Sequence, residues 1–158
     1  MSSIRVVTDG TVAAPSAAVY GYLADYRQHH PQFLPDAFSG WTVEEGGVGA
    51  GTVVRFTVTA GGRQRAYRMA VTEPEPGRVL AETDTTSSLV TTWTVDAVGP
   101  QSSKVRIETT WQGAGGVGGF FEKRFAPVAM RRIYAEALAK LDVYSRRQQG
   151  PAGATPGS

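Results

Sequence analysis

Cysteine is absent from the 158-residue chain, and its absence excludes disulfides, thiolate zinc sites and a cysteine nucleophile. Histidine is nearly absent too: His29 and His30, side by side in DYRQHHPQFLPD (25–36), are the only two. No stretch approaches the ~20 apolar residues of a spanning helix, and the opening MSSIRVVTDG has no apolar signal-peptide core. The expectation is a soluble, cytoplasmic protein without stable membrane insertion. Charge of one sign is also scarce. The net charge is only +2, and the basic pairs Lys123-Arg124, Arg131-Arg132 and Arg146-Arg147 read as a solvated helix face. Nucleic acid is therefore not an expected partner. Lysine is rare beside arginine, 3 against 13, which reads as coding bias and carries no functional weight.

What remains is enough for one domain, because a chain of this length can bury roughly 70% of the surface it exposes unfolded. Residues 4–13 (IRVVTDGTVA) read as a β-branched strand. Pro15 and Ser16 then open a short helix with Val19, Tyr20 and Leu23 on one face. From Phe38 the hydrophobic period changes to two. Val54, Phe56 and Val58 alternate with Arg55, Thr57 and Thr59, and Arg65, Tyr67, Met69 and Val71 share one side. Further on, Leu89, Thr91, Trp93 and Val95 form a row, as do Val105, Ile107, Thr109 and Trp111. Gly46-Gly47, Gly61-Gly62, the 74–77 stretch and Gly99-Pro100 mark turns between the runs. One face apolar and one wet predicts an antiparallel sheet covered on a single side.

After Trp111 comes GAGGVGG, then a helical pattern over about 118–147 with Met130, Ile133, Tyr134, Ala137, Leu138 and Leu141 on one stripe. Pro127 predicts a kink in that helix. The spacing predicts one domain over 1–147 and a disordered tail over 148–158, whose QQGPAGATPGS offers no apolar anchor. The order is strand, one or two short helices, six strands, long helix. A curved seven-stranded sheet needs one cover, and the C-terminal helix is the only element long enough. A straight helix cannot follow a curved sheet, so a ligand cavity is expected between them.

Four stretches in this order are similar to a known family: TVAAPSAAVYGYLADY, HHPQFLPDAFSGW, GVGAGTVVRF and FFEKRFAPVAMRRIYAEALAKL. Over about 4–147 the chain resembles the START-like, or polyketide cyclase/dehydrase and lipid-transport, superfamily (SRPBCC) with its α+β helix-grip fold. The run Phe33, Leu34, Pro35 matches the segment after the first helices of aromatase/cyclase and coenzyme Q-binding members. The resemblance implies a deep cavity for an apolar or aromatic small molecule, with that run closing its mouth. It carries no single catalytic motif, so no catalytic residue is transferred.

Each chemistry-bearing residue also has a plainer reading. GAGGVG over 113–118 matches GxGxxG, but no second parallel strand follows to build a dinucleotide site, so a glycine hinge is the better reading and no cofactor is expected. Adjacent imidazoles point in different directions, and a metal would depend on carboxylates, so no metal is expected. His29 or His30 could act as general acid or base if one faces the cavity; otherwise both are lip residues. Phe33, Trp41, Phe56, Met69, Trp93 and Trp111, with Phe121, Phe125 and Met130, are candidate lining residues. Arg65, if it faces inward, could hold an enolate oxygen together with Tyr67. Thr83, Thr91 and Thr109 share the inner parity, while Glu82, Asp84 and Glu108 are expected to face solvent. Three functions follow: a binder of a hydrophobic, polyketide- or lipid-like molecule; a polyketide cyclase, aromatase or dehydratase; and an interaction module over a filled core. The expected partner is a hydrophobic small molecule or polyketide intermediate, and the oligomeric state stays open.

Overall fold

β-Branched and alternating segments form the seven strands seen in the computed structural model, which describes residues 3–60, 62–113 and 116–150, with only the backbone over 116–125. The strands are β1 (Ser3–Val12), β2 (Phe38–Glu45), β3 (Val53–Ala60), β4 (Arg63–Glu75), β5 (Val79–Asp84), β6 (Val90–Gly99) and β7 (Ser102–Gln112). They make one curved antiparallel sheet in the order β1-β7-β6-β5-β4-β3-β2. Helix α1 (Ser16–Ala24) and a single 3-10 turn (His30–Phe33) lie between β1 and β2, and α2 (Gly116–Gln149) follows β7. No helix among the described residues is long and apolar enough to cross a membrane.

The alternation seen in sequence becomes the two faces of the sheet. Val54, Phe56, Met69, Val71, Trp93, Val95, Val105 and Ile107 are all buried. Register lines these up across the strands: Phe56 faces Tyr67, Val54 faces Met69, and Trp93 faces Ile107. Helix α2 covers that face with Tyr134, Ala137, Leu138 and Leu141, all buried as their spacing predicts. Each fully buried leucine of this core contributes roughly 1.5–3 kcal/mol. Asp142 ties the helix to β1 by accepting the Ala13 N–H at 2.8 Å.

The helix bounds differ slightly from the sequence expectation. It starts at Gly116 and ends at Gln149, with Pro127 inside it. The expected tail from 148 therefore begins inside the helix, and its remainder over 151–158 lies outside the described residues, as do Ala114 and Gly115 of the expected hinge. Gly113 precedes the helix, and β7 runs antiparallel to both its neighbours, an arrangement unlike a βαβ nucleotide unit.

The glycine-rich loop over 46–51 has a positional role. Gly47 accepts the Tyr26 N–H at 2.8 Å and Gly49 donates to the Ala24 carbonyl at 2.9 Å, so the loop clamps the end of α1. Gly49 has φ of +69°, and a Cβ there would sit 2.0 Å from Glu73 Oε1, the oxygen that accepts the Ala50 N–H. Only glycine fits that backbone without displacing Glu73. The clamp places Tyr26 and the 3-10 turn beneath the sheet.

Candidate functional site: a cavity between sheet and helix

A cavity of about 670 Å³ lies between the sheet and α2. The core under the helix is therefore not filled. Trp41, Phe56, Tyr67, Met69, Trp93 and Trp111 line it from the sheet, and Ala126, Ala129, Met130, Ile133 and Tyr134 from the helix. Arg63, Gln64 and Arg65 also line it and are exposed, which marks the β3–β4 hairpin as its open end. Leu34 and Phe38 complete the wall near the 3-10 turn.

The polar floor was not legible as such in the sequence. Glu82 is buried and lines the cavity, contrary to the expectation that it faces solvent, and Asp84 is buried with it. Thr83, expected inside, is exposed. The reason is parity: Leu80, Glu82 and Asp84 alternate together, and Leu80 is fully buried. Two donors hold the Glu82 carboxylate, Tyr26 Oη to Oε2 at 2.6 Å and Trp93 Nε1 to Oε1 at 3.2 Å. Asp84 caps the β5–β6 turn by accepting from the Ser87 hydroxyl at 2.6 Å. Buried carboxylates persist only with such partners.

His30 is the second floor residue. The Pro31-containing turn directs its ring inward, where it is 2% exposed. It stacks on Tyr26 at 4.5 Å and on Trp41 at 5.4 Å, and meets Trp93 edge-on at 5.5 Å. Its Nδ1 lies 2.7 Å from the Leu23 carbonyl, which can only accept, so Nδ1 carries the hydrogen. Nε2 then faces Glu82 Oε2 at 3.9 Å. Burial holds the imidazole pKa below its usual 6.5, and the nearby Glu82 and the Leu23 bond offset only part of that. The folded state thus prefers the neutral ring while the unfolded chain takes a proton near 6.5. Stability should be full above that pH and fall as pH drops below it towards the lower folded value. Urea unfolding between pH 8 and pH 5 should show this component in the wild type, and His30→Phe should lack it.

A third polar group joins sheet and helix. The Thr91 and Thr109 hydroxyls meet at 2.8 Å, and Thr109 Oγ1 bonds Tyr134 Oη. Burial pushes the Tyr134 phenol up to about 12, so it keeps its hydrogen at neutral pH. At the other end the Arg65 guanidinium lies 5.0 Å from the Tyr67 ring centroid and 3.9 Å from Asp84 Oδ2.

Several candidates stand elsewhere than expected. His29 is not on the wall: its Nδ1 bonds Tyr144 Oη and its ring packs on Tyr22 at 5.2 Å. Phe33 is fully buried behind the wall, against His30, Trp93 and Tyr144; Leu34 is the member of that run which reaches the cavity. Thr109 sits one layer back and holds Thr91 and Tyr134. The side chains of Phe121 and Phe125 lie outside the described residues. Glu82, Tyr26 and Tyr134 were absent from the candidate site. Parity with Leu80 could have signalled Glu82, and the α2 stripe already carried Tyr134.

A cavity under one long helix, walled by a single antiparallel sheet, defines the helix-grip architecture. The chain belongs to the polyketide cyclase / dehydrase and lipid transport family, whose model matches residues 3–146. It is similar to the solution structure of the KanY protein, at 40% identity over 92% of this chain and 99% of that one, with a TM-score of 0.81. The Zhui aromatase/cyclase from a Streptomyces species shares the fold at 19% identity, covering 98% of this chain and 100% of that one, with a TM-score of 0.79. The granaticin polyketide synthase bifunctional cyclase/dehydratase of Streptomyces virginiae is 31% identical over 113 residues, 68% of this chain. That match spans only 36% of the relative's length.

Proposed function

We propose that this protein binds a hydrophobic, largely aromatic small molecule, polyketide- or lipid-like, between sheet and helix. The observation that carries it is the 670 Å³ cavity, open at the arginine-bearing hairpin and walled by aromatic rings. That volume is within the roughly 300–1,000 Å³ of small-molecule sites. Its polarity is graded: guanidinium groups at the mouth, rings along the middle, Glu82, His30 and the Thr91–Tyr134 hydroxyls at the floor. An amphipathic ring system suits that sequence of surfaces. Ala129→Trp fills the space from the helix side and should weaken binding of a fluorescent apolar probe such as 1-anilinonaphthalene-8-sulfonate by about tenfold or more, since an indole displaces ligand volume directly. Equal binding by wild type and variant would overturn the reading.

A cyclase, aromatase or dehydratase activity is the second reading, supported by the paired His30 and Glu82 at the floor and by the granaticin relative's cyclase/dehydratase name. In it, neutral His30 Nε2 removes a proton from an activated methylene, and the resulting carbanion attacks a ketone of the same chain. The new alkoxide then takes one proton back. Arg65 and Tyr67, at the mouth, would hold a more distant carbonyl oxygen of the same chain, and the walls would keep the chain folded for closure. His29, turned to Tyr144, takes no part. Single-turnover assays with a poly-β-ketone thioester test it: His30→Phe should abolish proton-transfer-dependent ring closure, and unchanged rates would remove His30 from the mechanism.

A further inference from the structure

The floor of the cavity holds two hydrogen-bond acceptors and no donor between them. The Leu23 carbonyl takes the Nδ1 hydrogen of His30, which leaves Nε2 as an acceptor 3.9 Å from Glu82 Oε2. Glu82 already receives Tyr26 Oη on one oxygen and Trp93 Nε1 on the other, and a carboxylate oxygen accepts more than one hydrogen. Both residues are at least nine-tenths buried and both line the cavity. Nε2 and Oε2 are 3.9 Å apart, too far for a direct bond and close enough that a hydroxyl beside them can donate its one hydrogen to either.

Resting on the ligand-binding reading, we infer that His30 Nε2 and Glu82 Oε2 form a subsite for a hydroxyl of the ligand, phenolic or enolic, at the inner end of the cavity. A hydroxyl donates its hydrogen to either acceptor. A ketone, ether or carboxylate oxygen in the same place would put a third acceptor against two, with no hydrogen to share. The subsite therefore selects the enol or phenol over the keto or O-methyl form. Rejection of the wrong form comes from buried groups left unpaired, which discriminates more strongly than apolar contacts do. The surrounding rings fix the two acceptors: His30 lies in its stack with Tyr26 and Trp41, and Glu82 is held by its two donors.

The test compares 2-naphthol, 2-methoxynaphthalene and naphthalene, following quenching of the tryptophan fluorescence from the cavity wall. The wild type should bind 2-naphthol about tenfold or more tighter than the other two, which leave the buried acceptors unpaired. Glu82→Gln replaces an acceptor oxygen by an N–H donor, and His30→Phe keeps a ring in the stack but removes Nε2. In either variant, shown folded by its thermal transition, the ratio of naphthol to naphthalene affinity should fall towards one. Equal affinities for all three in the wild type, or a preference that survives in both variants, would overturn the subsite and leave the cavity reading standing. Failure of all three probes to bind would overturn the cavity reading and the subsite with it. Should neither variant fold, the wild-type comparison decides alone.

Discussion

Trp93→Ala should destabilise the protein by about 3–5 kcal/mol, the range for removing a buried large aromatic. At this chain length that lowers the melting temperature by on the order of 10 °C. Trp93 is 4% exposed, stands edge-on to both His30 and Phe33, and supplies one of the two donors that hold Glu82. Its loss removes packing from the floor and leaves a buried carboxylate with a single donor. Trp93→Phe separates the two effects, since it keeps a ring and removes the N–H; it should cost about 1–3 kcal/mol. Chemical unfolding measures both. A Trp93→Ala cost below ~1 kcal/mol would show that the indole neither packs nor bonds as described.

Leu141→Ala should cost about 2–5 kcal/mol, yet leave the affinity of an apolar probe within about twofold. Leu141 is fully buried on α2 but is not part of the cavity wall. Among the described side chains of α2, those that reach the cavity lie at 126–134, and those that reach only core lie at 137–141. Within this stretch the helix walls the cavity over 126–134 and covers the core over 137–141. Denaturation and probe titration on the same variant check the division. Loss of affinity in proportion to loss of stability would show that the two stretches are not separable.

The fold was legible because its signals are local and repeated. Period-two runs separated by glycine turns, followed by one long apolar stripe, admit few arrangements other than a sheet with a single helical cover. The aromatic wall was legible for the same reason: Phe56, Tyr67, Met69, Trp93 and Trp111 sit on rows whose parity the sequence displays, and all five line the cavity. The β5 row is where this reasoning failed. Polarity alone sends Glu82 outward, while parity with Leu80 two residues earlier sends it in, and the parity signal prevails. The Tyr26 hydroxyl that makes inward placement tolerable comes from 56 residues away in the chain.

The histidine pair divides in the same manner. Both imidazoles occupy one short loop, and nothing in DYRQHHPQFLPD states which ring turns inward. The clamp from Gly47 and Gly49 positions the end of α1, and the Leu23 carbonyl then captures Nδ1 of His30. His29, one residue earlier, is left to Tyr144 of α2, 115 residues away.

The sequence by itself determined the sheet, its helical cover, and the apolar character of the space between them, because side-chain period and chain length decide those quantities. Only the tertiary structure decided which buried polar atoms meet at the floor. Those atoms are tolerated through partners distant in sequence, and the desolvation cost of each is met by a donor or acceptor that no local pattern reveals.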